Sequence, residues 1–120
     1  MTPRSLRAHC LRLAGAEETF PFGPTTAVFK VGGRIFAISG LDPASLQVSV
    51  KVEPELGERL RASYAEIRPG YHLNKRHWIT LDLDGTLEDR MVRDLVEDSW
   101  ALVASKLPRG ERTRLGLAPR

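Results

Sequence analysis

The stretch "TAVFKVGGRIFAIS", Thr26 to Ser39, narrows the possible folds more than any other part of the chain. Two runs rich in β-branched and aromatic residues flank Gly32-Gly33. A glycine pair can take the positive φ angles that a two-residue hairpin turn needs. Soon after comes "LQVSVKV", which alternates strictly. Leu46, Val48, Val50 and Val52 fall on one side and Gln47, Ser49 and Lys51 on the other, as in a half-exposed antiparallel strand. A chain that commits this much of its middle to hairpin-connected strands must build an antiparallel sheet and cover one face of it.

The flanking segments supply the cover. Thr2-Pro3 opens a helix, because proline suits the first helical position, where its missing N–H is not needed. Leu6, Cys10, Leu13 and Ala14 then lie on one stripe, which makes Cys10 a buried small residue. "GAEETFPFGP" reads as an irregular connector. "EPELGERLRASY" reads as a short helix with Pro54 in its first turn and Glu55 near the positive end of its dipole. "WITLDL" is a further strand, with a short extra strand expected near Ile67. A last helix is expected from about Glu88 to Ser105, with Leu87, Met91, Val92, Leu95, Val96, Leu102 and Val103 as its apolar face and Pro108 closing it. The order α-β-β-β-α-β-α predicts an α+β two-layer sandwich, a twisted antiparallel sheet with its helices on one side.

With 120 residues, the chain is expected to form one domain over residues 1–108, followed by a basic C-terminal tail, residues 109–120. Hydrophobic residues are 42% and charged residues 28%, the balance of a globular protein. No apolar run reaches membrane-span length, and no apolar segment follows Arg4 and Arg7, so neither a membrane anchor nor a secretory signal is expected. Cys10 is the lone cysteine, which points to a reducing cytoplasm and excludes a cysteine zinc cluster within one chain. The net charge is +3, and its placement matters more than its size. From Lys106 onward Lys106, Arg109, Arg112, Arg114 and Arg120 face only Glu111, a local charge of +4, so the preceding chain carries −1. Such a tail attracts polyanions or simply aids solubility.

"ITLDLDGTLED", Ile79 to Asp89, has the Asp-x-Asp-Gly-Thr form in which haloacid-dehalogenase-type phosphatases present a nucleophile and its acid-base partner. Here Asp82 and Asp84 would take those parts. Such a nucleophile ends a parallel strand buried on both faces, whereas Ile79-Thr80-Leu81-Asp82-Leu83 alternates. Turn and cap chemistry accounts for the string instead: Asp84-Gly85 as a turn, Thr86 as N-cap of the last helix, and Asp89 as the acidic partner of a capping box. The Ser or Thr, Lys and second acidic pair that this chemistry requires on later strands have no place in the 38 residues after Asp82, so no enzyme is expected.

The densest chemical grouping is "YHLNKRHW": Tyr71, His72, Asn74, Lys75, Arg76, His77 and Trp78 beside Pro69-Gly70. These side chains can reach phosphate, stack on a base or hydrogen-bond a base edge. They can equally form a structural corner, with Trp78 over the core, Asn74 in a turn and Lys75-Arg76 in solvent. His72 and His77 lack a third ligand for a metal, and no side chain near them makes a nucleophile with a base and an orienter.

Taken in order, "FPFGP", "VFKVGGRIFAI", "VSVKVEPELGERLR", "PGYHLNKRHWITLDLDGTLED" and "SWALVASKLPR" resemble the MmcQ/YjbR-like proteins, from about Phe20 to Arg109. The Tyr-His-x-Asn-Lys-x-His-Trp string is the most diagnostic part. The family pattern often has Asn where this chain has Ile79, and a variable residue at Asp82. The resemblance implies an α+β fold like that of type III secretion chaperones. It also implies a DNA-binding role through a double-wing arrangement of strands and loops, with no enzyme activity and no cofactor.

The expected function is therefore a small non-enzymatic DNA-binding module of low specificity. Lys75, Arg76, His72 and His77 would contact phosphates, Tyr71 or Trp78 would stack, and Lys30, Arg34 and Lys51 would contribute from exposed strand positions. The rival expectation is a protein-interaction or chaperone-like adaptor that offers an open sheet face or edge to a partner segment.

Overall fold

In the computed structural model, which describes residues 1–71 and 73–117, the hairpin at Gly32-Gly33 sits at the centre of the chain's logic. Both glycines have positive φ, 57° and 77°, and join β2 (Thr26–Val31) to β3 (Arg34–Gly40). The Gly32 position is closely approached as well: a Cβ there would meet both terminal methyl carbons of Leu107 at 2.8 Å. A short 3-10 turn then leads into β4 (Gln47–Lys51), and the sheet is completed by β1 (Ala16–Thr19), β5 (Ile67–Pro69) and β6 (Trp78–Asp82). The spatial order is β1-β2-β3-β4-β6-β5, and every neighbouring pair is antiparallel. This is an α+β sandwich, as the hairpin pattern predicts.

Three helices cover one face. They are α1 (Pro3–Arg12), α2 (Pro54–Ser63) and α3 (Asp89–Ser105). The register places Ala27, Phe29, Ala37, Val48, Val50, Ile79, Leu81 and Ile67 toward them, and all are buried. Phe29 and Phe36 pack with tilted rings whose centroids are 6.4 Å apart. Burial of each such large apolar side chain contributes about 1.5–3 kcal/mol. Helix α2 approaches closely because residue 57 is glycine: a Cβ there would meet Val52 Cγ2 at 3.0 Å. That contact explains a residue costing about 1 kcal/mol in helix propensity.

Ser99 of α3 sits where the β3–β4 ladder stops. The last paired residues are Ala37 and Val50. Beyond them the fully buried Ser99 hydroxyl donates to Phe36 O at 2.6 Å and accepts from Lys51 N–H at 2.8 Å. One side chain thus satisfies two backbone groups that the parted strands leave without each other, as buried polar groups require.

Several expectations are corrected. The segment "GAEETFPFGP" is not wholly irregular, since Ala16–Thr19 forms edge strand β1. Its glutamates hide the strand signal, and Glu18 is tolerated because Arg7 on α1 holds it with two hydrogen bonds of 2.6 and 2.9 Å. The residues after Pro108 are not simply a tail. Arg109–Arg114 form α4, and Leu115 and Leu117 pack against the core. Helix α1 ends at Arg12, so Ala14 lies outside its stripe and is exposed, while its carbonyl accepts from Trp100 Nε1. Thr86 does not cap α3. The N-cap is Glu88, without a side-chain cap bond, and Asp89 is the first helical residue. Asp84 intercepts the Thr86 N–H at 2.9 Å to close the preceding turn. Finally, β4 is not exposed along one whole face: Ser49 is buried there and shares a 2.7 Å hydroxyl contact with Thr80.

Cys10 is fully buried, and its thiol is pushed up to about 12, chiefly by burial and further by the nearby Glu18 carboxylate. It should therefore resist a thiol reagent at pH 8 in the folded protein and react at once in denaturant; fast labelling of native protein would contradict this packing. Ser99→Ala should cost roughly 2–3 kcal/mol in chemical denaturation, because Phe36 C=O and Lys51 N–H lose their shared partner. A loss under about 0.5 kcal/mol would show that the strands close without the hydroxyl.

Candidate nucleic-acid interface

The segment from Gly70 to Trp78 is a tight corner between β5 and β6. Asn74 holds it: its Oδ1 accepts from the N–H groups of Arg76 (2.9 Å) and His77 (3.3 Å), and its carbonyl accepts from Trp78 N–H at 3.0 Å. Gly70 N–H donates back to Trp78 O at 3.0 Å, and Tyr71 N–H donates to Thr80 Oγ1 at 3.0 Å. His77 O accepts from Val52 N–H at 2.9 Å, which fastens the corner to the end of β4. Short polar side chains bonding to their own backbone two residues on are what asparagine supplies in turns.

The predicted site residues divide on this frame. Lys75 Nζ donates to Gly70 O at 3.0 Å, so its charge is partly committed to the corner. Arg76 is exposed and its guanidinium makes no hydrogen bond or ion pair among the described residues. Tyr71 is 58% exposed. His77 is half-buried, and His72 lies outside the described residues. Lys30 is opposite Glu17 in the β1–β2 register, away from the corner.

Trp78 opens β6 directly opposite Lys51 of β4. Beside this pair is a cavity of about 340 Å³, lined by Arg34, Ile35, Lys51, Trp78, Val103 and Lys106. It lies where β3 and β4 have parted, at the end of α3. Three predicted residues (Arg34, Lys51 and Trp78) are thus brought together from three strands. Lys106 joins them from just past α3. Sequence reasoning missed it as a member of the site because it counted Lys106 with the distal tail, although the end of a helix packed on the sheet was the available signal. The lining holds three cations and no carboxylate.

Other cavities differ in sign or character. A cavity of about 700 Å³ near the chain start includes Arg68, Asp82 and Asp84. Asp82 is clamped there by Arg68, at 2.9 Å from Nε and 2.7 Å from Nη2. Asp84 is held below the usual carboxylate range by hydrogen bonds from the Thr86 hydroxyl and N–H. Both carboxylates of the Asp-x-Asp string therefore have structural partners on an antiparallel strand and its turn. The groove between α2 and α3, of about 360 Å³, is mainly apolar and carries Glu53 and Asp98 together with Lys51. No group of three or more potential metal ligands occurs among the described residues. None of the helices there is long and apolar enough to cross a membrane.

The corner's geometry leaves no room at Gly70: a Cβ would fall 2.7 Å from Trp78 Cβ, 3.0 Å from Trp78 O and 3.2 Å from Leu73 Cβ. Gly70→Ala should cost about 1–3 kcal/mol in denaturant titration and shift the Trp78 side-chain resonances in NMR spectra. Unchanged stability and spectra would mean that the corner does not position Trp78.

A family model described as YjbR matches residues 11–102. Among curated proteins, the uncharacterised Escherichia coli K12 protein YjbR is 36% identical over 115 residues, covering 96% of this chain and 98% of that protein. YbdF of Escherichia coli O157:H7, also uncharacterised, is 36% identical over 105 residues, 88% of this chain and 86% of its own length. Among solved structures, Deinococcus radiodurans protein DR2400 superposes with a TM-score of 0.89 at 44% identity, covering 98% of this chain and 89% of that one. A Pseudomonas syringae protein gives a TM-score of 0.75 at 28% identity, covering 86% of this chain and 99% of its own. With the family pattern matched across most of its length and the same fold in solved relatives, the chain belongs to the YjbR family.

Proposed function

We propose that this protein is a small cytoplasmic DNA-binding module without catalytic activity, which grips phosphates at the end of its sheet. The observation that carries this reading is the cavity of Arg34, Lys51 and Lys106 around Trp78, cationic without a balancing carboxylate in its lining. Phosphate oxygens favour such sites, because each lysine or arginine that replaces a condensed counterion gains the entropy of its release. Exposed Arg76, two residues before Trp78, extends the positive surface. A lone, buried thiol suits a reducing compartment.

A second reading, a protein-interaction module, is favoured by Phe20 and Phe22, which are 41% and 69% exposed just after edge strand β1. An extended partner segment could pair with that edge and set side chains against the two rings.

Fluorescence anisotropy with labelled DNA across a salt series tests the first reading. Contact with three or four duplex phosphates gives a slope of log K against log salt of roughly −3 to −4. Arg34→Ala/Lys51→Ala/Lys106→Ala should weaken binding at least tenfold and flatten that slope to about −1. Lys75→Ala/Arg76→Ala should lose less, since Lys75 is tied to Gly70. Arg109→Ala/Arg114→Ala checks the C-terminal charges without removing Leu115 and Leu117 from the core. If only this last variant lost binding, the cavity would have no part in it. If no form bound at low salt, the edge-strand reading would lead.

A further inference from the structure

We propose that the Trp78 cavity takes one unpaired nucleotide of a single strand, its base stacked on the indole and its phosphates held by Arg34, Lys51 and Lys106. This rests on the nucleic-acid reading above and narrows it from DNA in general to unpaired nucleic acid. Three features of the site carry it.

Size comes first. At about 340 Å³ the cavity is at the small end of ligand pockets. It accommodates one base with part of its sugar, whereas a base inside a duplex stays stacked and paired, beyond the reach of a pocket wall. The composition of the wall is the second feature. Trp78, Ile35 and Val103 give an aromatic and apolar enclosure, and the three cations stand around it. Stacking surface beside backbone-tracking charge is how single strands are held without sequence preference. The indole N–H is the third. Trp100 Nε1 donates to Ala14 O, but Trp78 Nε1 has no acceptor among the described residues, and no buried side-chain nitrogen or oxygen there lacks a partner. The Trp78 N–H is therefore not fully buried and is able to donate to a base carbonyl or a phosphate.

Duplex readout through a helix has little support in this fold. A major groove admits a helix with base-reading side chains on its open face. Helix α3 instead exposes Asp89, Asp94, Glu97 and Asp98 against Arg90, and α2 exposes Glu55 and Glu58 against Arg59. On α1, Arg7 is engaged by Glu18, and the exposed cations are Arg4 and Arg12.

The sequence holds two tryptophans, so full-length protein carrying Trp100→Phe leaves Trp78 as the only indole reporter. Its fluorescence would be titrated with a thymidine oligonucleotide, an abasic strand of equal length, a duplex of that length, and thymidine monophosphate. The expected result is quenching by the thymidine strand and binding of the abasic strand about five- to a hundredfold weaker, the worth of one stacked base. Lys51→Gln should lower the salt slope for the single strand by about 0.7. Comparing ligands on one protein avoids reliance on a Trp78 variant that fails to fold. Equal affinity for the abasic strand would overturn stacking and leave a phosphate-binding module. A duplex bound as tightly as the single strand would overturn the preference for unpaired DNA and leave the DNA-binding function standing. Monophosphate bound as tightly as the strand would replace a strand with a free nucleotide as ligand. Failure of all four to bind would remove the nucleic-acid reading itself.

Discussion

The hydroxyl of Ser99 is the contact on which the parted end of the sheet depends. Two antiparallel strands that separate inside a protein expose backbone groups that must find partners, and each unpaired group costs about 1–3 kcal/mol. Ser99 answers Phe36 and Lys51 at once from a helix. The sheet can therefore split at Ala37–Val50 without water entering the core. That split parts Lys51 from Phe36, its next partner in the register, and the opening lined by Arg34 and Lys51 is roofed by Val103 and Lys106 of the same helix end. A hydrogen bond thus creates a cavity, where an uninterrupted ladder would have left a flat surface.

Charge is arranged around that opening more tightly than the net value suggests. The chain before Lys106 is close to neutral, yet its charge is not spread evenly. Acidic side chains populate the outer surface of α3 and the turns near the N-terminus, where Met1 pairs with Asp89 at 3.3 Å. Several arginines are neutralised in place, Arg7 by Glu18, Arg68 by Asp82 and Arg114 by Glu111. Arg34, Lys51 and Lys106, which have no such partner among the described residues, meet at the parted end of β3 and β4. Local potential depends on this placement and not on the overall sum.

The sheet and its cover were legible because they are written in residues whose neighbours in sequence fix their geometry. Gly32-Gly33 sets its own turn, the Leu46–Val52 alternation sets its own faces, and Thr2-Pro3 sets the start of α1. What escaped depends on distant partners. β1 reads as a loop because its glutamates look unsuited to a strand until Arg7, eleven positions from Glu18, is seen to hold one of them. Thr86 looks like a cap because Asp84, which takes its N–H, was assigned only to the turn. The site was half legible for the same reason. Arg34, Lys51 and Trp78 stood among the candidates, but Lys30, in the same hairpin, lies opposite Glu17 of β1 and outside the cavity lining. Lys106 belongs to the site through helix packing that no local pattern records.

The Tyr71–Trp78 string shows how a site and a structural corner can be the same residues at different atoms. Asn74 spends its side chain on the turn, Lys75 reaches back to Gly70, and His77 gives its carbonyl to Val52. These bonds fix the backbone at the entry to β6. Trp78 is where the fixed backbone meets the split sheet, with Gly70 packed against its Cβ and Lys51 across the ladder. A stacking platform gains from such rigidity, because an indole held in place before the ligand arrives loses less freedom on binding. The corner is best understood as the mount for a single ring, with the side chains of Asn74 and Lys75 committed to its shape.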